Sequence, residues 1–159
     1  ALLAESEFID IFGVENSLTP AMDLFTKLGY LGLTCRLNTD AYLQQIGAGH
    51  LPHGAVAVAF SHSGSSADTV KALRLAKSHG AKTIAITNAI GAPLASWADV
   101  TLLTGRDSHT IYGNAIFSRV ADTALVDMLY MGVILSGYGR FSTALDESGR
   151  MIRDRVFEN

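Results

Sequence analysis

The chain has 159 residues, enough for one domain with a real core. With 48% hydrophobic and 17% charged residues it is not a disordered chain, and a formal charge of −3 offers no basic surface for nucleic acid. The single cysteine, Cys35, excludes an internal disulfide and reads as a buried free thiol in a reducing compartment.

Residues 1–5 (ALLAE) have no basic cluster and no long apolar core, so they do not form a signal peptide. The segment 41–67 lacks Lys, Arg, Asp and Glu, but Gly, Pro and His interrupt it. No run reaches the ~18 apolar residues a membrane span needs. The expectation is a cytoplasmic protein with no membrane partner. The first strand pattern begins so early that a preceding segment is expected.

Residues 8–12 (FIDIF) predict a strand, broken at Gly13-Val14-Glu15-Asn16-Ser17. Ser17 stands where a helix cap belongs, Pro20 fits the first turn, and the helix should run to about residue 28, with Gly29 and Gly32 ending it. Residues 33–37 predict a short second strand, and Asp40 a cap for a helix reaching residue 46. The continuous apolar run 55–60 (AVAVAF) predicts a strand covered on both faces. It empties into Ser61-His62-Ser63-Gly64-Ser65-Ser66. A helix follows over 66–79, with Val70, Leu73 and Ala76 at helical spacing and Gly80 as its stop. KTIAIT (82–87) and VTLL (100–103) predict strands four and five, separated by a helical turn at 93–97. Residues 113–135 predict a long helix, apolar around much of its surface and suited to burial against a partner subunit. The tail 140–157 predicts a weaker amphipathic helix carrying Phe141, Leu145, Met151, Ile152 and Val156, with Gly149 inside.

Alternating strands and helices imply an α/β fold: a doubly wound, five-stranded parallel sheet in the flavodoxin-like order 2-1-3-4-5, flanked by helices, as one domain over 1–159. That order sets strands one and three side by side. The loops after them, 13–17 and 61–66, then meet at the crevice where ligands usually sit. Both loops feed helix N-termini, whose unpaired N–H groups and positive dipole ends favour an anion. Serine hydroxyls add short donors, and Gly64 lets backbone approach closely. Three or four hydrogen bonds to a charged oxygen, each worth about 1.5–3 kcal/mol, suit a small phosphorylated molecule. Ordinary turn and cap chemistry is the plainer account of a lone Ser-x-Ser-Gly. The longer pattern, with a second serine-bearing loop beside it, weighs against that account.

Ser61-His62-Ser63-Gly64-Ser65-Ser66-Ala67-Asp68-Thr69 resembles the phosphosugar loop of SIS (sugar isomerase) domains, S-x-S-G-x-S/T-x-D/E-T. Residues 13–17, 76–81, 84–88, Pro93-Leu94-Ala95 and Ala98-Asp99 resemble further signatures of that family, and the likeness runs from about residue 8 to 135. Ser118-Arg119, with Asp127-Met128-Leu129, is similar to the C-terminal effector domain of RpiR-type transcription regulators. The resemblance implies that Ser17, Ser61, Ser63 and Ser66 hold a sugar phosphate, with Asn16, Gly64 and Asn88 completing the candidate ligand set. Asn88 could touch the sugar or serve a turn. Asp68 could mark the loop junction or act as a first-turn acid.

Two positions depart from the family pattern. Glu15 stands where the family usually has glycine or another small residue. It could face solvent, take a ligand amino or hydroxyl group, or spoil the phosphate site. Tyr42 replaces a histidine common in the regulator group, and either lines the pocket or packs elsewhere.

An aldose–ketose isomerase needs a base near the substrate carbon. Asp107 and His109 are the candidates in 106–112, but they form no recognisable catalytic pattern and also suit a solvated loop. His62 is expected to point outward, and His50 and His53 flank Pro52 in a turn. No spacing suggests a metal, and neither G-x-S-x-G nor G-x-G-x-x-G occurs, so no cofactor is expected. Three readings follow. The first is a phosphosugar-binding effector domain of a transcription regulator, signalling as a homodimer or higher oligomer and reaching DNA only through a domain missing from this chain. The second is a stand-alone sugar-phosphate isomerase. The third is a dimerisation domain with a degenerate pocket.

Overall fold

In the computed structural model, which describes residues 1–105 and 119–153, the central strands are short and buried because helices cover both faces of the sheet, while the two edge strands are more exposed. The strands are β1 (Ile9–Phe12), β2 (Cys35–Leu37), β3 (Val56–Phe60), β4 (Lys82–Thr87) and β5 (Val100–Leu103). They pair in parallel in the order β2-β1-β3-β4-β5, as the alternating pattern requires. Ile9 lies opposite Val56, and Val58 opposite Ile84. The helices are α1 (Leu2–Glu5), α2 (Leu18–Tyr30), α3 (Ala41–Ala48), α4 (Ala67–Ser78), α5 (Val120–Ser136) and α6 (Tyr138–Met151).

The alternation within β3 sorts the core into two layers. Val56, Val58 and Phe60 join Ile9, Ile11 and Ile84 beneath α2, α5 and α6. Ala57 and Ala59 face Ala72, Leu73 and Ala76 of α4 on the other side. Alanine on both surfaces lets α4 lie close to the sheet. The sheet itself carries a buried charge. Asp10 on β1 is buried opposite Arg36 on β2, whose Nε and Nη2 donate to its carboxylate at 3.0 and 2.6 Å. Burial raises the Asp10 pKa, and the Arg36 guanidinium works against that rise. The pair satisfies two charges that would otherwise be costly at the sheet edge.

Several expected boundaries move. A 3-10 turn over Glu15–Ser17 precedes α2, and the Ser17 side chain makes no capping bond. Helix α2 passes Gly29 and stops at Tyr30, and Gly32 turns the chain at φ +71°. Asp40 does cap α3, accepting from Leu43 N–H at 2.9 Å, and α3 continues to Ala48. The short α1 was not signalled by periodicity.

The expected helix 113–135 is described from Val120 and ends at Ser136; residues 113–118 lie outside the described residues. Val126, Val133 and Ile134 are buried, while Val120, Met128, Met131 and Leu135 are exposed, as an all-round apolar helix implies. After it the chain bends by 116° into α6. Among the described residues no single helix is long and apolar enough to cross a membrane. Cys35 is half-buried, and burial pushes its thiol pKa up to about 12, which keeps it protonated and inert.

Candidate functional site

Because β1 and β3 are neighbours, the loops leaving their carboxyl ends meet at one edge of the sheet. Between them lies a cavity of about 300 Å³. Val14, Glu15, Asn16 and Ser17 line it from the first loop, and Ser61, His62, Ser63 and Ser66 from the second. Arg119, just before α5, closes it.

The first loop is held from behind. Gln44 of α3 is 1% exposed and reads both backbone groups of Gly13. Its Nε2 donates to the Gly13 carbonyl at 2.7 Å, and its Oε1 accepts from the Gly13 N–H at 3.3 Å. The same Nε2 donates to the Asn38 carbonyl at 2.8 Å. Gly13 itself is tightly packed: a Cβ there would lie 3.2 Å from the Ser17 carbonyl oxygen. Glu15 then takes φ +52°, the left-handed region that favours glycine. That conformation explains why a small residue suits the position. The Glu15 residue is exposed at the cavity rim.

The second loop turns on Gly64, at φ +63°. Its N–H donates to the Ser61 carbonyl at 2.9 Å, and its own carbonyl accepts from Leu94 N–H at 2.9 Å. Gly64 therefore shapes the loop without lining the cavity. A Cβ there would collide with the Ala92 methyl and lie 2.8 Å from Thr87 Oγ1. Ser66 begins α4, yet no side chain caps the first amides of that helix. Nor does one cap α2. The amides at the start of α4 thus remain for a ligand, whereas at α2 the Ser17 and Leu18 N–H groups already donate to carbonyls of Val14 and of the 3-10 turn.

His62 departs from expectation. Its side chain turns inward and is 13% exposed, with Nδ1 4.0 Å from Oδ2 of Asp122. Burial lowers its pKa from the ordinary 6.5, the Arg119 charge lowers it further, and Asp122 acts against both. The imidazole is therefore neutral near pH 7. Asn88 is not among the lining residues: its Nδ2 lies 3.4 Å from His62 Nε2, behind the loop. Asp68 is exposed and accepts from Gln45 Nε2 at 3.2 Å, the position of a first-turn acid. Tyr42 is 76% exposed and does not line the cavity. Asp107 and His109 lie outside the described residues.

The structure thus gathers Asn16, Ser17, Ser61, Ser63 and Ser66 around one space and sets Gly64 and Asn88 back from it. Gln44 and Arg119 were missed as site residues. Only the Ser118-Arg119 pair in the family-like pattern hinted at the second.

A parallel α/β sheet with an open crevice at its topological switch point, walled by two serine-bearing helix starts, defines a class of small-ligand-binding domain. The chain matches the SIS domain model over residues 2–132 and belongs to that family. It is 31% identical over 157 residues to an uncharacterised HTH-type transcriptional regulator of Caldanaerobacter subterraneus, covering 99% of this chain and 56% of that protein. It is 26% identical over 143 residues to the HTH-type transcriptional regulator RpiR of Escherichia coli, covering 90% and 48%. The chain therefore spans about half the length of the curated relatives it matches. Its structure is similar to the Vibrio vulnificus NanR protein complexed with ManNAc-6P, with TM-score 0.91, 25% identity, and coverage of 99% and 59%. It also shares its fold with the sugar isomerase domain of an RpiR transcription factor from Sphaerobacter thermophilus, with TM-score 0.82, 23% identity, and coverage of 94% and 82%.

Proposed function

We propose that this chain is the phosphosugar-binding effector domain of a cytoplasmic transcription regulator. The observation that carries the reading is the convergence of Ser17, Ser61, Ser63 and Ser66 on one cavity at the starts of α2 and α4. Hydroxyl and amide donors recognise a phosphate through hydrogen bonds to its charged oxygens. The bound ManNAc-6P of the similar NanR protein supports a sugar phosphate as the ligand class. The exposed Met128, Met131 and Leu135 of α5 suit a homodimer or higher oligomer, through which occupancy reaches a DNA-reading domain outside this chain. Asn16 contacts the ligand from the first loop, while Gly64 and Asn88 support the second loop from behind.

The test is thermal stabilisation of the chain by a panel of hexose, pentose and N-acetylhexosamine phosphates. At least one member should raise the melting temperature, and Ser61→Ala with Ser63→Ala should abolish the rise. Stabilisation that survives the double substitution would place the ligand elsewhere. Proton exchange at the carbon next to the ligand carbonyl, followed by NMR, should be absent; its presence would make the domain an isomerase.

A further inference from the structure

Arg119 carries a charge that the fold leaves only partly met. It occupies the position before α5, and a cation at a helix N-terminus opposes the helix dipole. Its side chain is 16% exposed, so water does not solvate most of it. Its Nε and Nη1 atoms are buried with no hydrogen-bond partner. Among the described residues the nearest carboxylate oxygen, Oδ2 of Asp122, lies 4.0 Å from Nε, beyond hydrogen-bond range. That oxygen is also 4.0 Å from His62 Nδ1, so the Asp122 carboxylate faces both side chains. Buried donors on a permanent charge are costly to leave unmet.

Arg119 also lines the cavity. Among the described residues lining it, Arg119 is the one fixed cation, set against the Glu15 carboxylate at the rim. A dianionic head group held by neutral serine donors beside that carboxylate needs a compensating positive charge. A guanidinium gives it as a two-pronged donor matched to phosphate oxygens.

We propose that Arg119 is a ligand-contacting residue whose guanidinium takes the anionic group of the bound sugar phosphate, closing the serine cradle from α5. The inference rests on the sugar-phosphate reading above and adds the source of the cradle's positive charge. It also explains how a site with a carboxylate at its mouth keeps affinity for a dianion.

The experiment compares the wild-type chain, Arg119→Gln, Arg119→Lys and the Ser61→Ala, Ser63→Ala double variant. The probes are the sugar-phosphate panel, the same sugars without phosphate, and inorganic phosphate. Arg119→Gln should weaken the phosphorylated probes and inorganic phosphate by about ten- to a hundredfold, the range of a charge-assisted pair. Arg119→Lys should lose less. Binding of any unphosphorylated sugar should not change. In ³¹P NMR the bound phosphate should take up its proton at higher pH in Arg119→Gln than in wild type, a shift that a packing role would not produce. If Arg119→Gln does not fold, Arg119→Lys decides: reduced phosphate affinity at an unchanged melting temperature supports the contact, and unchanged affinity overturns it. Wild-type affinity in Arg119→Gln, with binding lost in the serine double variant, overturns the arginine contact and leaves the sugar-phosphate reading standing. A wild-type chain that binds no member of the panel overturns both.

Discussion

Replacing Gly64 with alanine tests how the second loop holds its shape. The new methyl meets two obstacles, and neither is the free end of a flexible side chain. The Ala92 methyl is fixed to buried backbone. Thr87 Oγ1 is pinned, donating to the His62 carbonyl at 3.1 Å and accepting from Ala89 N–H at 3.2 Å. Left-handed backbone costs a residue with a Cβ about 1–2 kcal/mol. Loss of unfolded-state freedom returns about 0.4–1 kcal/mol. Overpacking a close contact adds about 1–3 kcal/mol. The net loss should be about 2–3 kcal/mol. In a domain of this size each kcal/mol moves the melting temperature by about 2–4 °C, so circular dichroism should show a fall on the order of 8 °C. Gly80 is the control, because it has φ +86° and nothing within 4 Å of a built Cβ. Gly80→Ala should pay only the backbone cost, about 1 kcal/mol or less. Adding Ala92→Gly to Gly64→Ala should recover the overpacking part and leave the backbone part. Equal losses for Gly64→Ala and Gly80→Ala would refute the close-approach reasoning.

Two further outcomes follow from the same geometry. Gln44→Leu strands the buried N–H and carbonyl of Gly13, and at about 1–3 kcal/mol per unmet group the chain should lose several degrees in melting temperature. Ligand affinity should fall with it, since the first loop loses its anchor; a variant that binds and melts like wild type would show that Gln44 is dispensable. His62 has a native pKa below the ordinary 6.5, while the unfolded chain takes up its proton near 6.5. Stability should therefore be fully present above about pH 6.5 and fall as pH drops toward the native pKa. His62→Asn should flatten that limb in chemical denaturation at pH 5 to 8, and an unchanged slope would show that His62 is not the group responsible.

The sheet and the two facing loops were legible because their signals are local. A five-residue apolar strand ending in serines can be read without knowing what packs on it. Lys82–Thr87 and Val100–Leu103 keep the bounds their composition predicts. Gln44 was opaque for the opposite reason. It looks like a polar residue on an ordinary amphipathic helix until Gly13, 31 positions away, is seen against it. His62 read as outward because its neighbours are small and polar, yet its ring lies inward against Asp122, from another part of the chain. Arg119 belongs to the same class: its cavity is made by loops distant in sequence. Glu15 could be flagged as unusual, but only the positive φ explains which property of glycine was being replaced.

The two loops are fixed by different parts of the fold, and this bears on affinity. Gln44 of α3 ties the first to the helix layer on one face of the sheet. The second is wedged through Gly64 against Ala92 and bonded to Leu94 in the β4–β5 connection. Neither anchor uses a group that a phosphate would need, because the bonded atoms are backbone groups behind the cavity. A ligand then meets donors already in place and pays little for ordering the loops. Loosening an anchor should consequently lower affinity without removing a single donor. Deleting the Ser61 and Ser63 hydroxyls should lower it with both anchors still in place, losing within the loop only the long bond that Ser63 Oγ accepts from Ser65 N–H. The two kinds of substitution separate through heat: anchor variants lose melting temperature before any ligand is added, and hydroxyl variants lose chiefly the stabilisation the ligand brings.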